Sequence, residues 1–391
     1  MNTKFILIKV FAIVNMVAGI AIFSCANSAR KNNPGFNIIT IKVGKGAGSV
    51  EVGDLNKDGF PDIAVANAED SSVTILTGGD KGSFNEVPGS PFFANRFPND
   101  IVIADFNKDG YLDLGIANTD VSFLTVLLGN GKGQFQQATK SPFIVNAKPH
   151  THGIATGDFN GDGNLDLATD SWGVNSVLVI FGDGTGNFGD EVSYKVGKRP
   201  YQRLRVSDVN KDGKPDVVTT NLEGNNATVL LGIGGGKFQE AQGSPFPAGD
   251  APFGVAPGDL NGDNNQDLAI VNSPTITAES KGKDGLTILL GDGSGKFLPL
   301  KGSPFATGKS PSRVAVGDLN GDSIDDIVVT NYNDKSISIF YMNGNGVAES
   351  NVISVGNHPG GVAIHDLNKD GKNDIVVSNY DDNAIMILFR K

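Results

Sequence analysis

Apolar residues in this chain come in short runs separated by polar turns. Runs such as Asp62-Ile-Ala-Val-Ala-Asn67 and Asp326-Ile-Val-Val-Thr-Asn331 are unbroken, rich in β-branched residues and about six long, as expected of strands buried on both faces. Ahead of each run, apolar residues fall on every second position: Val50/Val52, Ile101/Ile103, Val314/Val316 and Val362/Ile364. That alternation predicts a strand with one face in a core. Its other face carries Gly, Ala or Ser and, as exceptions, Glu51, Asp100, Arg203, Arg205, Arg313 and His365. A third apolar run follows, such as Leu286–Leu290, ending in a glycine turn. A fourth, more polar strand is predicted next, often containing Ser-Pro-Phe (141–143, 244–246, 303–305). No long helical period of apolar residues occurs after residue 24, and Gly makes up 52 of 391 residues. Both facts predict an all-β chain with many turns.

The four-strand pattern repeats with a nine-residue stretch between the first two strands of each unit. It begins at Asp54, Asp105, Asp158, Asp208, Asp259, Asp318 and Asp366, at spacings of 51, 53, 50, 51, 59 and 48 residues. A period near 50 with four short strands per unit predicts a seven-bladed β-propeller. The last unit has only three strands, ending at Ala384–Lys391, while 35–44 reads like a fourth strand. The expected ring is therefore closed by 35–44 completing the blade of 360–391, which leaves no open sheet edge at the seam.

Every copy of the stretch has Asp at position 1, Asn at 3, Asp at 5 and Asp at 9. Three carboxylates and an amide so close together suit a hard cation such as calcium, which takes six to eight oxygens. Position 6 is Gly in five copies, Asn264 and Ser323 in the others, consistent with a left-handed turn residue. An EF-hand would need Glu at position 12 and flanking helices. Position 12 is instead Val65, Ile116, Thr169, Thr219, Ile270, Val329 and Val377, so the loop joins two strands.

These features resemble the FG-GAP/VCBS repeat family, the propeller of integrin α-subunits and of many bacterial surface proteins, over residues 35–391. The resemblance implies up to seven Ca²⁺ ions, one per loop, and names the ligands. They are the side chains of Asp54, Asn56, Asp58 and Asp62 with the main-chain oxygen of Phe60, and in the same way Asp105, Asn107, Asp109 and Asp113 with Tyr111. The third and fourth sets are Asp158, Asn160, Asp162 and Asp166 with Asn164, and Asp208, Asn210, Asp212 and Asp216 with Lys214. The remaining three are Asp259, Asn261, Asp263 and Asp267 with Asn265, then Asp318, Asn320, Asp322 and Asp326 with Ile324, then Asp366, Asn368, Asp370 and Asp374 with Lys372. It further implies that partners bind on the face opposite the loops. That face is expected to display Trp172, Tyr201, Tyr332, Tyr380, His150, His152, Arg96, His358 and the longest insertion, Ser273–Gly285. Tyr332 and Tyr380 have a competing reading as packing between blades.

Residues 1–24 read as an export signal with an apolar run after Lys4. Cys25, the only cysteine, stands where a lipoprotein carries its lipid; ordinary cleavage or an uncleaved anchor are the alternatives. A lipid there would tie the protein to a membrane, placing it in a bacterial cell envelope, with 25–34 as a polar tether. The net charge is −11, and −13 without Lys4 and Lys9. The repeated loop carboxylates make up 21 of the 43 acids, so seven Ca²⁺ ions would bring the mature chain near +1. No basic stripe points to nucleic acid. The expected function is a calcium-stabilised module that binds a glycan or protein, with no catalytic residue assigned. The alternatives are a polysaccharide lyase or hydrolase using His150 and His152, and a structural spacer. On the channel side, Arg203, Arg205 and Arg313 are expected either to pair with Glu51 and Asp100 or to hold a small carboxylate ligand.

Overall fold

The structure, a computed structural model, describes residues 31–33, 35–276 and 282–391. The proposed signal, Cys25, most of the tether and residues 277–281 of the insertion lie outside the described residues. Seven small antiparallel sheets form the ring of a seven-bladed propeller. Each blade runs from an inner strand outwards: in blade 3 the strands are Ile154–Gly157, Asp166–Ser171, Ser176–Gly182 and Phe188–Lys195.

The second strand is buried at all six positions in every blade, which explains its unbroken apolar reading. Its side chains meet neighbouring blades rather than their own sheet. Among the described residues seven apolar clusters fill the ring, each joining adjacent blades; the one between blades 5 and 6 also takes in Leu222 and Tyr201 of blade 4. One, for example, joins Val65 and Leu76 of blade 1 to Ile385, Ile387 and Phe389 of blade 7. The blades are thus halves of cores, and most of the burial that stabilises the ring lies between them.

The seam closes as expected. Phe36–Lys42 pairs antiparallel with Ala384–Arg390, from Phe36 against Arg390 to Lys42 against Ala384. Lys31–Asn33, expected within the tether, adds a short strand outside Phe36–Ile38.

The fourth strand differs from its predicted form in four blades. It is short, breaks at Ser-Pro, and the next two residues return to the far end of strand 3, as Phe143–Ile144 does against Phe123 and Leu124. Proline has no N–H to offer the ladder. The serine hydroxyl ahead of it serves as an acceptor in place of a ladder carbonyl, taking the strand-3 amides of Ile75, Val126, Val229 and Ile288 at Ser90, Ser141, Ser244 and Ser303.

Candidate functional site

The repeated loops share one construction. Asp54 accepts the amides of Asp58 and Gly59, Asn56 Oδ1 accepts the amide of Asp58, and Asp58 accepts that of Phe60, all at 2.8–3.1 Å. Two residues per loop are left-handed. Position 6 was expected; position 4 was not, and it holds Lys57, Lys108, Lys211, Lys369 or Gly, all at φ of about +60° to +84°. Lysine pays a conformational cost there, and three of these lysines reach the next loop. Lys369 Nζ donates to Gly59 O at 2.6 Å, Lys57 lies over the Tyr111 ring, and the charge of Lys108 acts on Asp162.

The ninth-position aspartates do a job the sequence did not reveal. Each is fully buried. One oxygen of Asp216 accepts the amide of Val209 at the loop start, and the other accepts Gly232 on strand 3. The same clamp recurs at Asp62, Asp113, Asp166, Asp267, Asp326 and Asp374. Burial pushes these carboxyls up, Asp216 to about 6 and Asp113 to about 7, and the neighbouring loop aspartates push the same way. Crowded carboxylates, an amide oxygen and free main-chain oxygens are a donor set that fits a hard cation. Among the described residues, no three Asp, Glu, His or Cys side chains are already gathered around one point.

The opposite rim is not repetitive. The expected residues fall into two groups there. Tyr332 stacks on His358 of the next blade, with centroids 4.4 Å apart, and His358 Nδ1 meets Asp381 at 2.7 Å. Tyr380 lies against blade 1, where its ring faces Gly46 and Glu69. Both tyrosines therefore follow the blade-packing reading. The second group joins blades 3 and 4. His150 and His152 approach through their Nε2 atoms at 3.2 Å. Trp172 lies 5.8 Å from His150 and from Tyr201, and Tyr201 lies 4.2 Å from His152. Arg199 covers both Trp172 and Tyr201 and is tied to Glu223. Trp172, expected in the open, is half-buried, and its indole N–H is shielded from solvent without a partner. Arg96 is exposed elsewhere on the rim, over Phe97.

Asp170 organises this group. Four residues after the ninth-position aspartate, blades 4, 6 and 7 carry Thr220, Thr330 and Ser378, and blades 1, 2 and 5 carry Ala66, Ala117 and Val271. In blades 6 and 7 the hydroxyl accepts one amide of the inner strand. Blade 3 has a buried carboxylate there, and it accepts both His152 N and Gly153 N and holds His152 Nδ1 at 3.2 Å. Drawing 152–153 to Asp170 shortens the inner strand to Ile154–Gly157, against seven or eight residues in the other blades.

On the channel side, ion pairing prevails. Arg203 Nη2 meets Asp100 Oδ1 at 2.9 Å and Ser49 Oγ at 3.2 Å, and Arg205 lies 3.9 Å from the same carboxylate. Asp100 also accepts Ser49 Oγ and Ile154 N. The carboxylate expected from a ligand is thus supplied by the protein at Arg203. Arg313 is buried nearby, within reach of the charges of Asp100 and Glu51. Burial lifts the Glu51 carboxyl to about 7, against the pull of Arg205. His365 sits at the other end, beside Asp54, Phe60 and Lys369 on the loop face. A groove of about 400 Å³ between blades 6 and 7 has Lys42 and Asn357 already bonded to Asp382.

The pattern of FG-GAP-like repeats matches residues 54–116, 105–169, 208–270 and 318–377, well over half the chain and all seven loops. The chain belongs to the FG-GAP-like repeat family. Each matched FG-GAP unit runs from one loop to the second strand of the next blade, so the sequence repeat straddles the structural one. Residues 170–207 and 271–317 fall outside the matches, and the first of these carries Asp170, Trp172, Arg199 and Tyr201. No curated protein matches the chain. Among solved structures, BBS1N in complex with ARL6DN aligns with a TM-score of 0.60 at 12% identity, covering 90% of this chain and 96% of that one. Virginiamycin B lyase from Staphylococcus aureus aligns at 0.57 and 16%, covering 91% and 100%. An Agrocybe aegerita lectin specific for non-reducing terminal N-acetylglucosamine aligns at 0.54 and 17%, covering 91% and 97%. At such identities the likeness is one of fold.

Proposed function

We propose that this FG-GAP propeller is a calcium-stabilised binding module of the bacterial cell envelope. It is exported by residues 1–24, held through lipid at Cys25, and binds a glycan through the rim opposite the loops. The observation that carries this reading is the Trp172–Tyr201–His150–His152–Arg199 group, built where blade 3 departs from its own repeat. Aromatic rings with polar edges suit sugars, whose apolar faces stack while their hydroxyls take hydrogen bonds. That propellers of this shape include a glycan-binding lectin and a protein-binding partner of ARL6DN supports a recognition role and keeps a protein ligand as the second outcome. The loops are expected to hold Ca²⁺ and to stiffen the ring without touching the ligand.

A glycan array probed with the full chain tests this. Binding should fall about 30-fold or more in Trp172→Ala, the loss typical of a central aromatic contact. Unchanged array signal in that variant would overturn the rim assignment. The Asp170–His152–His150 chain favours one second reading, acid–base chemistry on a polyuronate. Turnover of such a polymer that vanishes in His150→Ala would replace binding with catalysis.

A further inference from the structure

We infer that His150 and His152 form a site for a borderline-soft divalent transition metal of the zinc class, separate from the oxygen-lined loops. Their Nε2 atoms are 3.2 Å apart. Two bonds of about 2.0–2.1 Å to nitrogens at that separation enclose roughly 100–106°, close to the tetrahedral angle zinc adopts. The tautomers suit this. Asp170 Oδ2 accepts from His152 Nδ1 at 3.2 Å, which leaves Nε2 of His152 as a lone pair aimed at His150. Without metal, a proton lies between the two Nε2 atoms; on binding, that proton passes through solvent to Nδ1 of His150, so both neutral rings present an Nε2 lone pair to the ion. A carboxylate behind a ligating imidazole is the usual outer support of a zinc histidine. Asp170 is itself fixed by the amides of His152 and Gly153 at 2.9 and 2.7 Å, so the pair is built before any ion arrives.

The surroundings agree. His152 and Asp170 are almost fully buried while His150 is half-exposed, which leaves the remaining coordination positions facing the rim. The acids Asp120 and Asp170 act on His150, while the nearby Arg199 shares the Glu223 carboxylate with Lys198. Trp172 and Tyr201 flank the pair, so an ion there would sit within reach of anything stacked on them. The inference holds whether or not that ligand is a glycan.

The test is a titration of the full chain with Co²⁺ and Zn²⁺ in a large excess of Ca²⁺, which keeps the loops filled. One Co²⁺ equivalent should bind with the intense visible absorption of a four-coordinate ion held by two imidazoles and two outer ligands, and Zn²⁺ should displace it. Asp170→Asn should weaken the affinity about 10–100-fold. The equivalent should disappear in His150→Gln, a half-exposed position whose replacement leaves circular dichroism and melting unchanged. No bound equivalent in the wild type, or full binding retained in His150→Gln, would overturn the proposal. Glycan binding without metal binding refutes this site alone; metal binding without glycan binding refutes only the function proposed above.

Discussion

The two faces of the ring are built on opposite rules. On the loop face seven blades repeat one arrangement, down to the same aspartate clamping the same two amides. On the other rim, blade 3 alone places a carboxylate where its neighbours have a hydroxyl or an aliphatic residue, and two histidines, a tryptophan and a tyrosine gather around it. Repetition within one chain works as an internal control. What recurs in every blade serves the ring, and what occurs once is free to serve something else.

That division can be broken by experiment. The largest effect of a single substitution should come from Asp216→Ala, which strips the acceptor from Val209 N and Gly232 N in a buried setting. A loss of about 3–5 kcal/mol is expected from two charge-assisted bonds and the amides left behind. Trp172→Ala should shift the melting point far less, and the reverse order would end the distinction. Next, EDTA should lower the melting midpoint of the wild type and of rim variants alike, since an ion at 100 times its dissociation constant adds about 2.7 kcal/mol per site. Rim variants that lose this response would tie the rim to the loops. Ser141→Ala should cost about 1 kcal/mol by leaving Val126 N unpaired, read from chemical denaturation.

The channel side can be probed through pH. The folded-state pKa of Glu51 is raised from 4.5 to about 7, so between those values the folded protein keeps a proton that the unfolded chain has released. Stability at Glu51 is therefore lost as pH rises from about 4.5 to 7. Glu51→Gln should flatten that part of the profile and gain stability at pH 8, and an unchanged slope would show that Arg205 already neutralises the carboxylate.

Much of the fold was legible because its signals are local and repeated. A short, mostly apolar run after each loop, and alternation before it, are enough to place strands. The seam between 35–44 and 384–391 was legible because a missing strand at one end matched a spare one at the other. The break at Ser141-Pro142 was not, since it needs the knowledge that a hydroxyl stands in for a ladder donor's partner. Nor was the double use of Asp62 and its equivalents, because a motif of acids reads as a cation cage before it reads as a backbone clamp. At the rim, His150, His152, Trp172 and Tyr201 were visible as residue types. Their convergence was not, because Asp170 lies within a run that reads as an ordinary buried strand. Aligning the seven units against one another would have exposed it. For Arg203 and Arg205 the alternation offered Asp100 as a partner beside a ligand carboxylate, and the closed ring, which brings together residues some hundred apart, decides between them.

The pairing of Phe36 with Arg390 also sets an order of events. A polypeptide emerging from its first residue must hold that early strand without a mate until nearly the whole chain has followed. Only then can the circle shut and the cluster linking blades 7 and 1 dry out. An interruption anywhere before Ala384 would leave an open crescent with an uncovered apolar flank, a natural handle for quality control.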